Sequence, residues 1–234
     1  ENLGLFQKLL TGAYIHNLGV VNIDIDVTTY DTDNVGGLFG MYQADIVNGI
    51  FIGDITIDNC YTAGNISDPD GYANTIGGIV GDTEFITLTN SYSTVNISGG
   101  DEIGGLIGVD YDSFIQNCYT DSTVEGEWWI GGLIGESYGT RIEDSYSLGS
   151  VIGNEYSYLV GGLLGEMGDH GINWGEGYVT NSYSTADVIG ASAVGGLIGQ
   201  VSASDDYSNH ISDSYYNGNV TCVGNDAYWI GGLI

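Results

Sequence analysis

Short carboxylate pairs recur at Asp31/Asp33, Asp68/Asp70 and Asp110/Asp112. Carboxylates in loops are the hard oxygen ligands that calcium takes, but none of these pairs completes an EF-hand loop or a glycine-rich calcium repeat. Calcium is therefore an optional occupant and no cofactor is required. The competing reading is a solvated acidic surface suited to a cation-rich medium, where screening weakens self-repulsion. Two polar insertions, Glu166–Tyr178 (EMGDHGINWGEGY) and Val201–His210 (VSASDDYSNH), carry Asp169, His170, Trp174, Glu176, Asp205, Asp206 and His210. These residue types suit a metal or an acid/base pair, although polar loops also collect such sets by chance. The candidate metal ligands are thus Asp68, Asp70, Asp110, Asp112, Asp205 and Asp206.

Aromatic residues gather at another point. Tyr72, Tyr156, Tyr158, Tyr228 and Trp229 lie in three insertions, and Trp128 and Trp129 occupy the equivalent place without one. Flat rings beside carboxylates and amides suit sugar stacking; the alternative is that they cover the ends of apolar columns. Three sequons, at Asn65, Asn96 and Asn219, are candidate glycosylation sites. Cys60, Cys118 and Cys222 form no CxxC pair and are odd in number, which suggests neither a disulfide framework nor a zinc site.

An internal repeat positions all of these residues. A glycine pair begins at Gly36, Gly77, Gly104, Gly131, Gly161, Gly195 and Gly231, with a shortest spacing of 27 residues. Between successive pairs stands a second anchor, IDNCY, LTNSY, IQNCY, IEDSY, VTNSY or ISDSY, ending at Tyr61, Tyr92, Tyr119, Tyr146, Tyr183 and Tyr215. Apolar, mostly β-branched residues fill four columns: before the glycine pair (Ile76, Ile103, Ile130), after it (Ile79, Leu106, Leu133), four residues before the Tyr (Leu88, Ile115, Ile142) and five after it (Ile97, Val124, Val151). Short β-branched runs bounded by Gly, Asn, Asp and Ser predict strands. With 40 glycines the chain has no helix-length run of good helix formers.

Units this small cannot bury their own apolar faces and must stack. The fold class is therefore all-β, a β-solenoid of about seven coils with roughly three short strands each, rising about 4.8 Å per rung. Residues 1–234 form one continuous domain. The column Asn59, Asn90, Asn117, Asp144, Asn181, Asp213 is expected to hydrogen-bond along the axis, with its two Asp never on neighbouring rungs. The paired glycines are expected to take positive φ at a tight corner.

These motifs resemble the GLUG repeat family, named for G-L-(apolar)-G: GLFG at Gly37–Gly40, GLIG at Gly105–Gly108, Gly132–Gly135 and Gly196–Gly199, GLLG at Gly162–Gly165, and GIVG at Gly78–Gly81. The resemblance spans essentially the whole chain. It implies an extracellular, cell-surface repeat module, as in haemagglutinin-like adhesins and the non-catalytic parts of immunoglobulin A peptidases. It brings no catalytic residues, and the HExxH motif of those peptidases is absent.

Two Lys+Arg against 31 Asp+Glu give a net charge of −29, which excludes nucleic acid and anionic membranes as partners. No apolar run approaches a membrane span. The chain begins at Glu1 without a signal-like segment, and its last copy, Ile230–Ile234, stops before the closing glycine. Flanking segments or identical subunits joined through terminal rungs, and surface glycans, are the expected partners. The leading expectation is a non-enzymatic structural or adhesive rod, the next a filament or sheath subunit stacking head to tail. Third is a polysaccharide-degrading enzyme, weakened because lyases need a cation and only Lys8 and Arg141 are present, and because no carboxylates pair visibly on one strand face.

Overall fold

The computed structural model describes residues 1–47, 50–52, 55–168, 175–203, 208–224 and 228–233. Asp169, His170, Trp174, Asp205 and Asp206 lie outside the described residues. The chain winds as an all-β solenoid of about seven turns, and the strands of successive coils pair in parallel and in register. Sheet I carries the strands that follow each Tyr, such as Tyr61–Ser67 and Tyr92–Ser98, and those that precede each glycine pair, such as Thr75–Gly77 and Glu102–Gly104. In two coils the two segments fuse into one long strand, Tyr119–Gly131 and Tyr146–Gly161. Sheet II stacks seven strands, among them Val80–Glu84, Ile107–Tyr111, Ile134–Tyr138 and Leu164–Gly168. Sheet III stacks another seven, including Ile86–Thr89, Phe114–Gln116 and Arg141–Glu143. Among the described residues, one antiparallel strand pair, Asp45–Val47 with Ile50–Ile52, stands outside the three parallel sheets.

All four apolar columns face inward: Ile76, Ile103, Leu106, Leu133, Ile115 and Ile142 have no exposed surface, and Val124 and Ile97 almost none. The interior divides into two clusters. One lies between sheets II and III around Leu106, Ile134 and Ile115; the other lies under sheet I around Ile103, Val124 and Val160. The glycine pair forms the waist between them. A Cβ on the second glycine would meet the carbonyl oxygen of its counterpart one rung on (2.1 Å from Gly132 to Gly162) and the small side chain of the opposite wall, here Ser147. The column Thr62, Ser93, Thr120, Ser147 and Ser184 is therefore buried against glycine backbone, with Thr120 Oγ1 donating to the Gly132 carbonyl at 2.7 Å.

Among the described residues, none of these paired glycines has positive φ, which corrects the sequence expectation. Their need is space. A Cβ on the first glycine would sit 1.8 Å from the carbonyl oxygen three residues on, as for Gly77 and Val80, so only hydrogen fits between the two legs of the corner. The residues after the pair run a backbone hydrogen-bond spine along the axis, from Leu38 N to Ile79 O through to Leu197 N to Leu233 O, at 2.7–3.0 Å.

Positive φ falls instead on the Asn/Asp column. Asn17, Asn59, Asn90, Asn117, Asp144, Asn181 and Asp213 all have φ of 50–54°. Asn and Asp tolerate this left-handed conformation better than other non-glycine residues, which explains the column's composition. Axial side-chain bonding occurs where expected at two steps, Asn59 to Asn17 and Asn117 to Asn90, while Asn90 Nδ2 donates to Asp58 instead.

Candidate functional site

Sheet II carries the largest concentration of perturbed groups among the described residues. The residue after the motif's last glycine forms one register column, Asp82, Val109, Glu136, Glu166 and Gln200; two positions further on stand Glu84, Tyr111 and Tyr138. Glu102, from the adjoining edge of sheet I, completes the group. The sheet-II strands place these side chains on the non-core side because the residues between them, Thr83, Asp110 and Ser137, occupy the interior. This outward face is only partly open to water. Glu136 and Tyr138 are buried, and Asp82, Glu84, Glu102, Tyr111 and Glu166 are half-buried.

Burial and mutual repulsion set the electrostatics. Desolvation, reinforced by Glu84, pushes the Asp82 carboxyl up to about 7. Desolvation with the charges of Glu136, Asp82 and Asp101 pushes Glu102 up to about 8. Burial raises Glu136, partly offset by the hydrogen bond it accepts from the Tyr138 hydroxyl. Burial and the surrounding carboxylates hold the Tyr111 and Tyr138 phenols well above the ordinary range. Glu166 differs in being fully supplied with donors: Trp129 Nε1 at 2.8 Å, Ser202 Oγ at 2.9 Å and Gln200 Nε2 at 3.3 Å. Glu136 and Glu166 thus sit on neighbouring rungs of one sheet face, on two different strands, in contrasting environments. The signal was one column beyond the motif: GIVG-Asp82, GLIG-Glu136, GLLG-Glu166.

Known proteins add no guide to this face. No family model, curated protein or solved structure matches the chain.

The sequence candidates separate in space. Asp68 is buried and accepts the Tyr72 and Ala73 amides at 2.9 Å each, acting as a turn cap. Asp70 is exposed and lies with Glu125, Glu127 and Asn154 on an open cavity of about 460 Å³. Asp110 points into the core, where Thr140 donates to it; burial pushes its carboxyl up to about 7, partly offset by hydrogen bonds from Ser113 and Thr140. Its neighbour Asp112 turns the corner with φ 52° and accepts the Gly175 amide, so the two do not converge on one cation. Asp33 accepts from the Glu1 amino group at 3.2 Å. Glu176 accepts the Tyr178 hydroxyl at 2.5 Å and lies 3.5 Å from His210 Nε2. Among the described residues, no group of three or more metal-capable side chains gathers.

The seven aromatics form no single patch. Trp128 pairs in register with Tyr158, whose next neighbours in the column are Ser192 and then Tyr228. Trp128 is 41% exposed, with ring centroids 5.8 Å from Trp129 and 6.1 Å from Tyr158. Tyr72 packs edge-on against Tyr30 in an earlier coil, Tyr156 projects 70% exposed, and Tyr228 and Trp229 stand apart in the last coil. The sequons are exposed. Asn65 and Asn96 are register neighbours, and Asn219 Nδ2 donates to Asp187 at 2.8 Å. Cys60 and Cys118 are buried free thiols with Ser91 on the rung between them, and Cys222 is exposed and free.

Proposed function

We propose that the chain is a structural and adhesive surface module, an acidic rod that spaces other parts and touches glycans through the mid-rod aromatics Trp128, Tyr156 and Tyr158. The observation that carries this reading is that most of the prominent polar and aromatic columns are bonded along the axis. Asn joins Asn, Tyr stacks on Tyr, and Glu166 is held by residues of neighbouring rungs. Groups committed to holding rungs together are a stiffening device. The resemblance to GLUG repeats, the charge of −29 and the exposed sequons favour an extracellular, cell-surface setting. Displaying the chain on a non-adherent cell tests the reading. Adhesion to glycan-coated surfaces is expected to rise and to fall back with Trp128→Ala combined with Tyr158→Ala; display that adds no adhesion would contradict it.

One observation favours a second reading, a polysaccharide hydrolase. Glu136 and Glu166 are register neighbours whose backbones lie one rung, about 4.8 Å, apart, and retaining glycosidases use two neighbouring carboxyls about 5–5.5 Å apart. Their contrasting environments are the arrangement that separates an acid from a stabilising carboxylate. Against it stands the burial of Glu136 and the engagement of Glu166 with three donors.

A further inference from the structure

The anchor tyrosines form an unbroken axial stack. Ring centroids from Tyr61 through Tyr92, Tyr119, Tyr146 and Tyr183 to Tyr215 are separated by 5.2, 4.8, 5.0, 4.9 and 4.9 Å, with planes within 7° of parallel. The Tyr61 ring covers Gly19, where any side chain would collide with it, so the stack has a defined first member. Its edge is open to solvent: Tyr61 and Tyr215 are exposed and the four between them half-buried.

We propose that this ladder is a site of oxidative cross-linking, in which a one-electron oxidant such as a haem peroxidase with hydrogen peroxide couples neighbouring rings into dityrosine. Each of two phenols gives up one electron and one proton, leaving two phenoxyl radicals. The radicals join through a new carbon–carbon bond between ortho positions, and the two displaced ortho hydrogens return to the phenol oxygens. The two electrons and two protons reduce one peroxide to two waters. The product is a covalent rivet between rungs that are otherwise joined by non-covalent contacts.

Exposure and ring geometry separate this site from the chain's other described tyrosines. Tyr30, Tyr156 and Tyr228 are more exposed, but none lies parallel against a second tyrosine. Tyr111 and Tyr138 are stacked at 5.1 Å, but Tyr138 is buried and bonded to Glu136. Among the described residues, only the ladder holds solvent-accessible phenols parallel against one another. A partner fixed about 5 Å away has an effective concentration far above that of a second molecule in dilute solution. The charge of −29 further suppresses encounters between copies at low salt.

The test is oxidation of the dilute, purified chain with peroxidase and peroxide, followed by isolation of the monomer, dityrosine fluorescence and peptide mapping. Cross-links are expected between successive ladder positions. The pair Tyr119→Phe with Tyr146→Phe keeps the stacking but leaves only two of the five couplable steps, Tyr61–Tyr92 and Tyr183–Tyr215, so the initial rise in monomer fluorescence, at low conversion, should fall to roughly two-fifths. Circular dichroism checks that the variant folds, and the wild-type map stands as evidence without it. Cross-links confined to Tyr30, Tyr156 or Tyr228, found only between molecules, or undiminished in the double variant would overturn the proposal.

Discussion

Glu102 is the group whose titration should most change stability. Its carboxyl moves from an ordinary 4.5 to about 8 on folding, because burial and then Glu136, Asp82 and Asp101 disfavour its charge. The folded state therefore binds the proton more tightly than the unfolded chain, so stability is greatest at low pH and is lost as pH rises from about 4.5 to about 8. Between pH 5 and pH 8 the linkage relation gives a loss of about 3.5 kcal/mol if Glu102 alone carried the shift. Because its neighbours share the repulsion, roughly 1.5–3 kcal/mol is the expected range. Glu102→Gln fixes the side chain in a neutral form. Urea unfolding should show the variant close to wild type at pH 5 and more stable by that amount at pH 8. A variant that loses as much stability as wild type between the two pH values, or is less stable at pH 8, would refute the reasoning.

Three further outcomes follow from the packing. Gly132→Ala places a Cβ 2.1 Å from the Gly162 carbonyl oxygen, where only backbone can yield, and is expected to cost more than about 3 kcal/mol or to prevent folding, read by thermal melting. Asn117→Ala loses both the left-handed preference and the bond to Asn90, about 1–2 kcal/mol by denaturant titration, whereas Asn117→Gly keeps the dihedral and should recover much of that loss. Leu133→Ala empties a fully buried site in the larger core cluster and should cost about 2–5 kcal/mol, with the unfolding slope unchanged.

The winding of the chain was legible because a repeat states each inward position several times: Ile76, Ile103 and Ile130 occupy one column in sequence and in space. What the repeat left open was the use made of single letters. Glycine serves equally for positive φ and for close approach, and only the folded backbone distinguishes Gly132, hemmed in by Gly162, from Asn117, which carries the positive φ. The carboxylate column is not legible as a repeat because Val109 and Gln200 break it, although burial and coupling need only neighbouring rungs. The aromatic corner failed to assemble because Ser192 stands between Tyr158 and Tyr228, keeping Trp128 apart from the last coil. The tyrosines were visible as anchors, but their parallel stacking depends on side-chain direction, which spacing alone does not fix.

The rod account holds that the carboxylates of sheet II hold their surroundings in place and perform no catalysis. Its most direct test is release of reducing ends from a panel of neutral, acidic and amino polysaccharides, comparing wild type with Glu166→Gln and Glu136→Gln across pH 5 to 8. The account predicts no release above buffer for any of the three proteins. Release by wild type that disappears in either variant, with the fold intact, would contradict it and establish the hydrolase reading instead.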